Sequence, residues 1–279
     1  MKPLRPFWRY YGGKWRAAPR YPRPEYPTII EPFAGAAGYS LRYPERSVIL
    51  VEKYHVIAEI WRWLIGASEA EILSVPCVDH VDDLPAGVSQ GARWLVGFCM
   101  NSATTTPCVS LSAGGRYLRD RGRKTQGWND EKRAQVAGQV AAIRHWRVIE
   151  GDYSAAPDTE ATWFVDPPYQ RAGTHYKHPS TAIDFPALGA WCLSRLGQAI
   201  VCETTGADWL PFTPFMDAKS FGAAGKNKTS AEAIWTNRDV RQMEINEAAA
   251  RGVSVARLRE VARERLAGCV AELNVKEID

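Results

Sequence analysis

The mostly apolar run Ala161-Thr162-Trp163-Phe164-Val165 leads without a charged side chain into Asp166-Pro167-Pro168-Tyr169, and this junction limits what the chain can fold into. A short run rich in aromatic and β-branched residues reads as a strand buried on both faces, the habit of parallel sheets. Two prolines then end its ladder, because neither donates a backbone hydrogen bond and each holds its predecessor extended. A carboxylate, a rigid carbonyl and an aromatic ring are thereby fixed at a strand's carboxyl end, where open α/β sheets bind ligands. Taken alone the tetrapeptide also fits a stiff surface turn, so the rest of the chain must decide.

A chain of 279 residues can bury a full core as one large domain with an insertion or two small lobes. No stretch approaches the ~20 apolar residues of a membrane span, and the basic N-terminus precedes no apolar signal core. The expectation is a cytoplasmic protein without membrane contact. Six cysteines, Cys77, Cys99, Cys108, Cys192, Cys202 and Cys269, lack Cys-x-x-Cys spacing and read as buried free thiols, neither a disulfide frame nor a zinc site. His175 and His178 lack a third ligand, so no metal is expected. The net charge of +4 is unevenly spread: residues 1–24 hold seven Lys or Arg and no acid. Residues 114–126 hold Arg116, Arg119, Arg121, Arg123 and Lys124 against Asp120. Basic stripes of this kind suit a polyanion or an ordinary solvated surface.

Along the chain, Tyr10-Tyr11-Gly12-Gly13-Lys14 signals a tight backbone turn. Thr28 to Glu31 predicts a strand, followed by Pro32 and the small residues of Phe33-Ala34-Gly35-Ala36-Ala37-Gly38, which let backbone approach a bound group. The next predicted strand ends at Glu52, 21 residues after Glu31; βαβ folds place a ribose-binding acid at about this offset. Ile57, Ile60, Trp61 and Leu64 form a helical core stripe. From Gly66 to Gln126 the α/β rhythm weakens, and the Thr104-Thr105-Thr106-Pro107 and Gly114-Gly115 signals argue against regular crossover helices, although Arg93 to Met100 reads as an apolar helix or strand with Asn101 at its end. Asn129 is a predicted helix cap. Further strands are predicted at Arg147 to Glu150, before Gly151-Asp152-Tyr153, at Gln198 to Cys202, and as a late antiparallel strand at Glu232 to Thr236, with Lys219 to Ser230 as a Gly- and Lys-rich loop. Beyond Asn237 the chain reads as two helices, either a DNA-reading helix-turn-helix or a covering hairpin.

Acids therefore end three predicted strands or their turns, at Glu52, Asp152 and Asp166. In their order, the segments Tyr10 to Lys14, Glu31 to Gly38, Val51-Glu52, Gly151 to Tyr153 and Asp166 to Tyr169 resemble the adenine-specific, S-adenosylmethionine-dependent DNA methyltransferases of phages and prophages, over roughly residues 8–237. The resemblance implies an α/β, Rossmann-like methyltransferase fold with a mixed, mostly parallel sheet. It implies a catalytic domain from residues 1–65 and 127–237, an inserted target-recognition lobe at 66–126, and a helical extension at 238–279. It implies that Tyr10 and Lys14 flank S-adenosylmethionine, that Phe33, Ala34, Gly35 and Gly38 wrap its methionine part, that Glu52 accepts the ribose hydroxyls, and that Asp152 and Tyr153 receive its adenine. Asp166 and Pro167, next to Pro168, would hold the target amine, and Tyr169 would stack on a base flipped out of double-stranded DNA. Asn101, Thr104, Thr105, Thr106 and the Arg116 to Lys124 stripe are the candidate DNA contacts. Three rivals stay open: a cytosine-N4 methyltransferase with the same apparatus, a catalytically idle DNA-binding regulator, and an RNA enzyme, against which Asp166 stands where the resembling RNA enzymes usually carry Asn. Neither a membrane, a metal nor a particular oligomeric state is indicated.

Overall fold

The computed structural model describes residues 2–101, 104–122, 127–221 and 227–238. Seven strands form one mixed sheet in the order β3-β2-β1-β4-β5-β7-β6. They are β1 (Thr28–Glu31), β2 (Ser47–Glu52), β3 (Arg147–Glu150), β4 (Ala161–Val165), β5 (Gly197–Thr204), β6 (Thr213–Phe221) and β7 (Asn227–Thr236). The first five pair in parallel, whereas β7 runs antiparallel to both β5 and β6. The late antiparallel strand read from the sequence is therefore present. β1 lies between β2 and β4, so the chain leaves the middle of the sheet in one direction and later returns to build in the other. At such a switch point the loops diverge and leave a crevice at the strands' carboxyl ends.

Strand alternation divides the core into two layers. Ile29, Val48, Leu50, Phe164, Ile200, Cys202 and Ile234 face one, and Ile30, Ile49, Val51, Trp163, Val165, Val201 and Trp235 face the other. The first layer is covered by α1 (His55–Gly66), which buries Ile57, Ile60, Trp61 and Leu64 as its spacing predicts. α2 (Glu69–Ser74), α3 (Gln90–Met100), α4 (Ala113–Asp120) and α5 (Asp130–Val140) follow it. Side chains of α1, α3 and α5 join one hydrophobic cluster with Phe7 and Trp8; each large apolar side chain fully buried there contributes roughly 1.5–3 kcal/mol. The second layer is covered by α6 (Phe185–Leu193), capped by Asp184, whose carboxylate accepts the Ala187 N–H at 2.9 Å. Asn129 caps α5 in the same way, accepting from Lys132 N at 2.9 Å.

Three expectations are corrected. Helices do form between Gly66 and Gln126: Ser68, Ser89 and Ser112 cap α2, α3 and α4 by accepting the N–H three residues on. The Gly- and Lys-rich stretch from Lys219 to Ser230 belongs in large part to the β6–β7 hairpin, through Phe221 and from Asn227. Of the cysteines described, Cys192 and Cys202 are buried, but Cys77 is exposed and Cys99 and Cys108 are half-buried. The predicted helices beyond Asn237 lie outside the described residues. No helix among the described residues is long and apolar enough to cross a membrane.

Candidate functional site

The carboxyl ends of β1 and β2 are tied together by the glycine turn. Glu52 Oε2 accepts the Gly35 N–H at 2.9 Å, its Oε1 accepts the Tyr54 N–H at 2.8 Å, and the Trp61 indole donates to the Gly35 carbonyl at 2.8 Å. Gly35 has φ of 46°, in the left-handed region that glycine enters at least cost. Burial raises the Glu52 carboxyl above its usual range, opposed by the N–H groups of Tyr54 and Gly35. Glu31, at the end of β1, accepts the Ser40 N–H at 2.7 Å and is 2% exposed. Its carboxyl is pushed up to about 8, chiefly by burial.

Across the crevice, the Asp166 carboxylate at the end of β4 meets the Lys14 ammonium at 2.8 Å. The same ammonium donates to the Gly12 carbonyl at 3.1 Å and lies 4.8 Å from the centre of the Tyr169 ring. Burial works against the charge on Lys14, but Asp166 and Glu232 hold the ammonium protonated well above the usual lysine range. Burial likewise raises Asp166, and Lys14 pulls it back down. The Lys14 ammonium, on a side chain 9% exposed, needs such a partner, since an unpaired buried charge costs several kcal/mol, on the order of the effective penalty per ion.

The segment after Asp166 is held from β5. Glu203, fully buried, accepts the Gln170 N–H at 2.5 Å, the Thr204 N–H at 2.5 Å and the Trp209 indole at 3.3 Å. The Tyr169 carbonyl accepts the N–H groups of Ala172 and Gly173. Gly173 sits so close that an added Cβ would lie 2.6 Å from the Pro168 carbonyl carbon. Glu203 thus gains a positioning role that its place after an apolar strand did not reveal.

A cleft of about 280 Å³ opens at this switch point. Of the residues singled out from the sequence, Tyr10, Lys14, Phe33, Ala34, Gly35, Gly38, Glu52, Asp152, Tyr153, Asp166 and Pro168 line it. Pro167 is buried and does not line it, and Tyr169 lies deeper, its hydroxyl donating to Glu232. Asp152 stands at the rim, its carboxylate 3.1 Å from the Lys53 ammonium, and Tyr153 stacks on Phe33 at 5.7 Å between ring centres. Sequence reading missed Tyr176, which also lines the cleft and whose hydroxyl donates to the Tyr11 carbonyl at 3.3 Å. Tyr11 and Tyr176 are 165 positions apart in the chain, so no local pattern joins them.

Of the candidate DNA contacts among the described residues, none lines the cleft. Asn101 is engaged within its own segment: its amide nitrogen donates to the Ser110 carbonyl at 3.1 Å and its oxygen accepts the Ser112 N–H at 3.2 Å. Thr104 pairs with Tyr10 as a single parallel bridge, and its carbonyl accepts the Tyr11 N–H at 3.3 Å, so the Thr104 to Thr106 turn abuts the Tyr10 to Lys14 loop. Thr105 is half-buried and Thr106 exposed. On α4, Arg116 donates to the Leu111 carbonyl at 2.7 Å and Arg119 pairs with Asp79. Arg121, just past the helix, stacks over the Tyr117 ring at 4.5 Å. Arg123 and Lys124 lie outside the described residues. No group of three or more His, Cys, Asp or Glu among the described residues is placed to hold a metal ion.

No family model matches the chain, and no curated protein matches it. Among solved structures it is similar to a conserved hypothetical protein of Streptococcus pyogenes, with a TM-score of 0.29 and 9% identity over 77% of this chain and 88% of that one. That score is too low to bear on function.

Proposed function

We propose that the cleft binds S-adenosylmethionine and that the protein transfers a methyl group to N6 of an adenine flipped out of double-stranded DNA. One observation carries the reading: the Asp166 carboxylate, paired with Lys14, faces the same cleft as the Gly35 turn and Glu52. The reacting amine and a nucleoside cofactor would thus meet at one switch point, with Asp166 on one side and the glycine turn on the other.

The residues present suit the cofactor. Glu52 accepts the N–H groups of Gly35 and Tyr54 and is further stabilised by that of Lys53, and a carboxylate with about four lone-pair positions keeps capacity for a ribose hydroxyl. Gly35 keeps the turn clear of side-chain atoms, and a Cβ on Gly38 would lie 2.6 Å from Trp15 N, so the turn sits hard against the Lys14 segment. Asp152 at the rim is open to an exocyclic amine once Lys53 shares it. When bound, S-adenosylmethionine supplies an electrophilic methyl group on a sulfonium.

The chain's own part is to orient a weak nucleophile. An exocyclic amine has its lone pair delocalised into the ring, and acceptors that draw its hydrogens out of the ring plane free that pair. Lys14 holds Asp166 Oδ1 and opposes the rise that burial imposes on this carboxyl, so the second oxygen, with the Pro167 carbonyl, would serve as such an acceptor pair. The same carboxylate stabilises positive charge developing on nitrogen. Extruding the base costs a few kcal/mol, and stacking on an aromatic ring such as Tyr169 offsets about 1–3 kcal/mol of it.

The test is transfer of labelled methyl groups from S-adenosylmethionine into duplex DNA, followed by nucleoside analysis. N6-methyladenine is the expected product, and Asp166→Ala is expected to lose about 10²–10³ in rate while still binding DNA. A normal rate in Asp166→Ala would remove the catalytic assignment. N4-methylcytosine as the product would move the reading to the cytosine enzymes, and no transfer by the wild-type protein would leave a DNA-binding regulator.

A further inference from the structure

β7 carries an acid where its pattern calls for an apolar residue. Residues two apart on a strand share a face, and Glu232 therefore points the same way as Ile234, which belongs to the first core layer with Phe164, Ile200 and Cys202. Glu232 is 7% exposed. Its cross-strand neighbours are Thr204 on β5 and Met216 on β6, and the β6–β7 register shifts between Pro214 and Met216, immediately beside it. Irregularities of this kind re-aim side chains next to functional sites. A carboxylate buried there must be paired to be tolerated.

Its partners border the cleft: Lys14 and Asp166 line it, and Tyr169 lies next to Lys14. The Tyr169 hydroxyl donates to Glu232 Oε2, and the Lys14 ammonium, 2.8 Å from Asp166, lies 4.8 Å from the centre of the same Tyr169 ring. Asp166, Lys14, Tyr169 and Glu232 thus form a continuous set of carboxylate, ammonium, ring and carboxylate. Two anchors restrain the residue from opposite ends. Glu203 fixes the backbone at Gln170, and Glu232 fixes the phenol tip. A tyrosine ring has two side-chain torsions, so holding both ends sets its plane.

We propose that Glu232 is a positioning residue for base methylation at this cleft: through the Tyr169 hydroxyl it sets the ring plane on which the extruded base stacks, before the base arrives. The inference rests on the methyltransferase reading above. It adds a residue from the antiparallel hairpin, outside every segment on which the family resemblance was founded.

Steady-state kinetics on a duplex that the wild-type protein methylates test it, with Glu232→Ala, Glu232→Gln, Tyr169→Phe and the Tyr169→Phe/Glu232→Ala pair. Glu232→Ala and Tyr169→Phe are each expected to lower kcat about tenfold to a hundredfold, the cost of a small misplacement at a reacting centre. The KM for S-adenosylmethionine should stay within about twofold, because neither change removes uniform binding of the cofactor. Glu232→Gln still accepts the phenol proton and should recover kcat to within about threefold, on the scale of one neutral hydrogen bond. The double variant should be no slower than the slower single, since both act through one contact. Wild-type kcat in a folded Glu232→Ala, or losses that multiply in the double variant, would overturn the inference alone. Should Glu232→Ala not fold, Glu232→Leu, which keeps the bulk without the acceptor, takes its place: a loss of kcat that adding Tyr169→Phe does not deepen supports the proposal, and wild-type kcat overturns it. Absence of any transfer by the wild-type protein would overturn the methyltransferase reading and this inference together.

Discussion

Glu31, buried, and Asp166, half-buried, are carboxyls at neighbouring strand ends, and their surroundings treat them differently. Asp166 has the Lys14 ammonium at 2.8 Å, whereas Glu31 has the Ser40 N–H at 2.7 Å and no ion pair among the described residues. Burial dominates at Glu31 and moves it from the usual 4.5 to about 8, with Ser40 opposing and Asp166 adding to the rise. Below pH 4.5 folded and unfolded chains both carry the proton. Between 4.5 and about 8 the unfolded chain ionises and the folded one does not, so stability falls as the pH rises through that window and levels off above it. Glu31→Gln keeps the shape without the ionisation. Urea unfolding at pH 5 and pH 8 should show it gaining on the wild type at the higher pH, by on the order of a few kcal/mol. An unchanged difference between the two pH values would mean that Glu31 is already ionised in the folded protein.

Among the elements, glycines that look like breaks in the chain prove to be points where helices pack closely on their neighbours. Gly91, within α3, lies so close to α1 that an added Cβ would be 2.6 Å from the Trp63 Cβ and 2.9 Å from the Glu59 carbonyl oxygen. Gly97 meets Pro107 and Cys108 in the same way, and Gly115 meets Leu111. This is why the region from Gly66 to Gln126 read as irregular, although Ser68 three residues before Glu71 was a legible capping signal. The parallel strands were easier to read, because burial on both faces writes a continuous apolar run such as Val48 to Val51. β6 was not, since Thr213 to Phe221 mixes Pro214, Asp217 and Lys219 with its apolar residues. Alanine at Gly91 gains helix propensity of about 1 kcal/mol but forces backbone and side chain apart at a cost of about 1–3 kcal/mol, so Gly91→Ala should lower the melting temperature. Gly138 in α5 has nothing within 4 Å of its missing Cβ, and Gly138→Ala should raise stability by about 0.5–1 kcal/mol. Calorimetry on the pair separates packing from propensity; a stabilised Gly91→Ala would show that α3 can move away from α1.

For the whole molecule, the methyltransferase reading proposed above predicts that variants in the cleft affect chemistry and variants on the basic surface affect DNA binding. Eleven of the residues singled out from the sequence line one cleft, because strand ends and their turns converge wherever a parallel sheet reverses its order. Contacts made at a distance, such as Tyr169 with Glu232 or Tyr176 with Tyr11, leave no local pattern to read. On the basic surface the arginines are unequal. Arg119 is already paired with Asp79, Arg116 is tied to the Leu111 carbonyl, and Arg121 stacks on Tyr117 without a carboxylate partner among the described residues. Arg121 is therefore the best placed of the three to neutralise a phosphate. In duplex binding measured across a salt series, Arg121→Ala should weaken affinity similarly for all sequences and reduce the slope against log salt by about 1. Asp79→Asn should act in the opposite sense by leaving Arg119 with Asp120, at 3.6 Å, as its one remaining carboxylate partner among the described residues. S-adenosylhomocysteine binding should be unchanged in both, since neither residue lines the cleft. An Arg121→Ala protein with the wild-type salt slope would place the DNA on another face of the molecule.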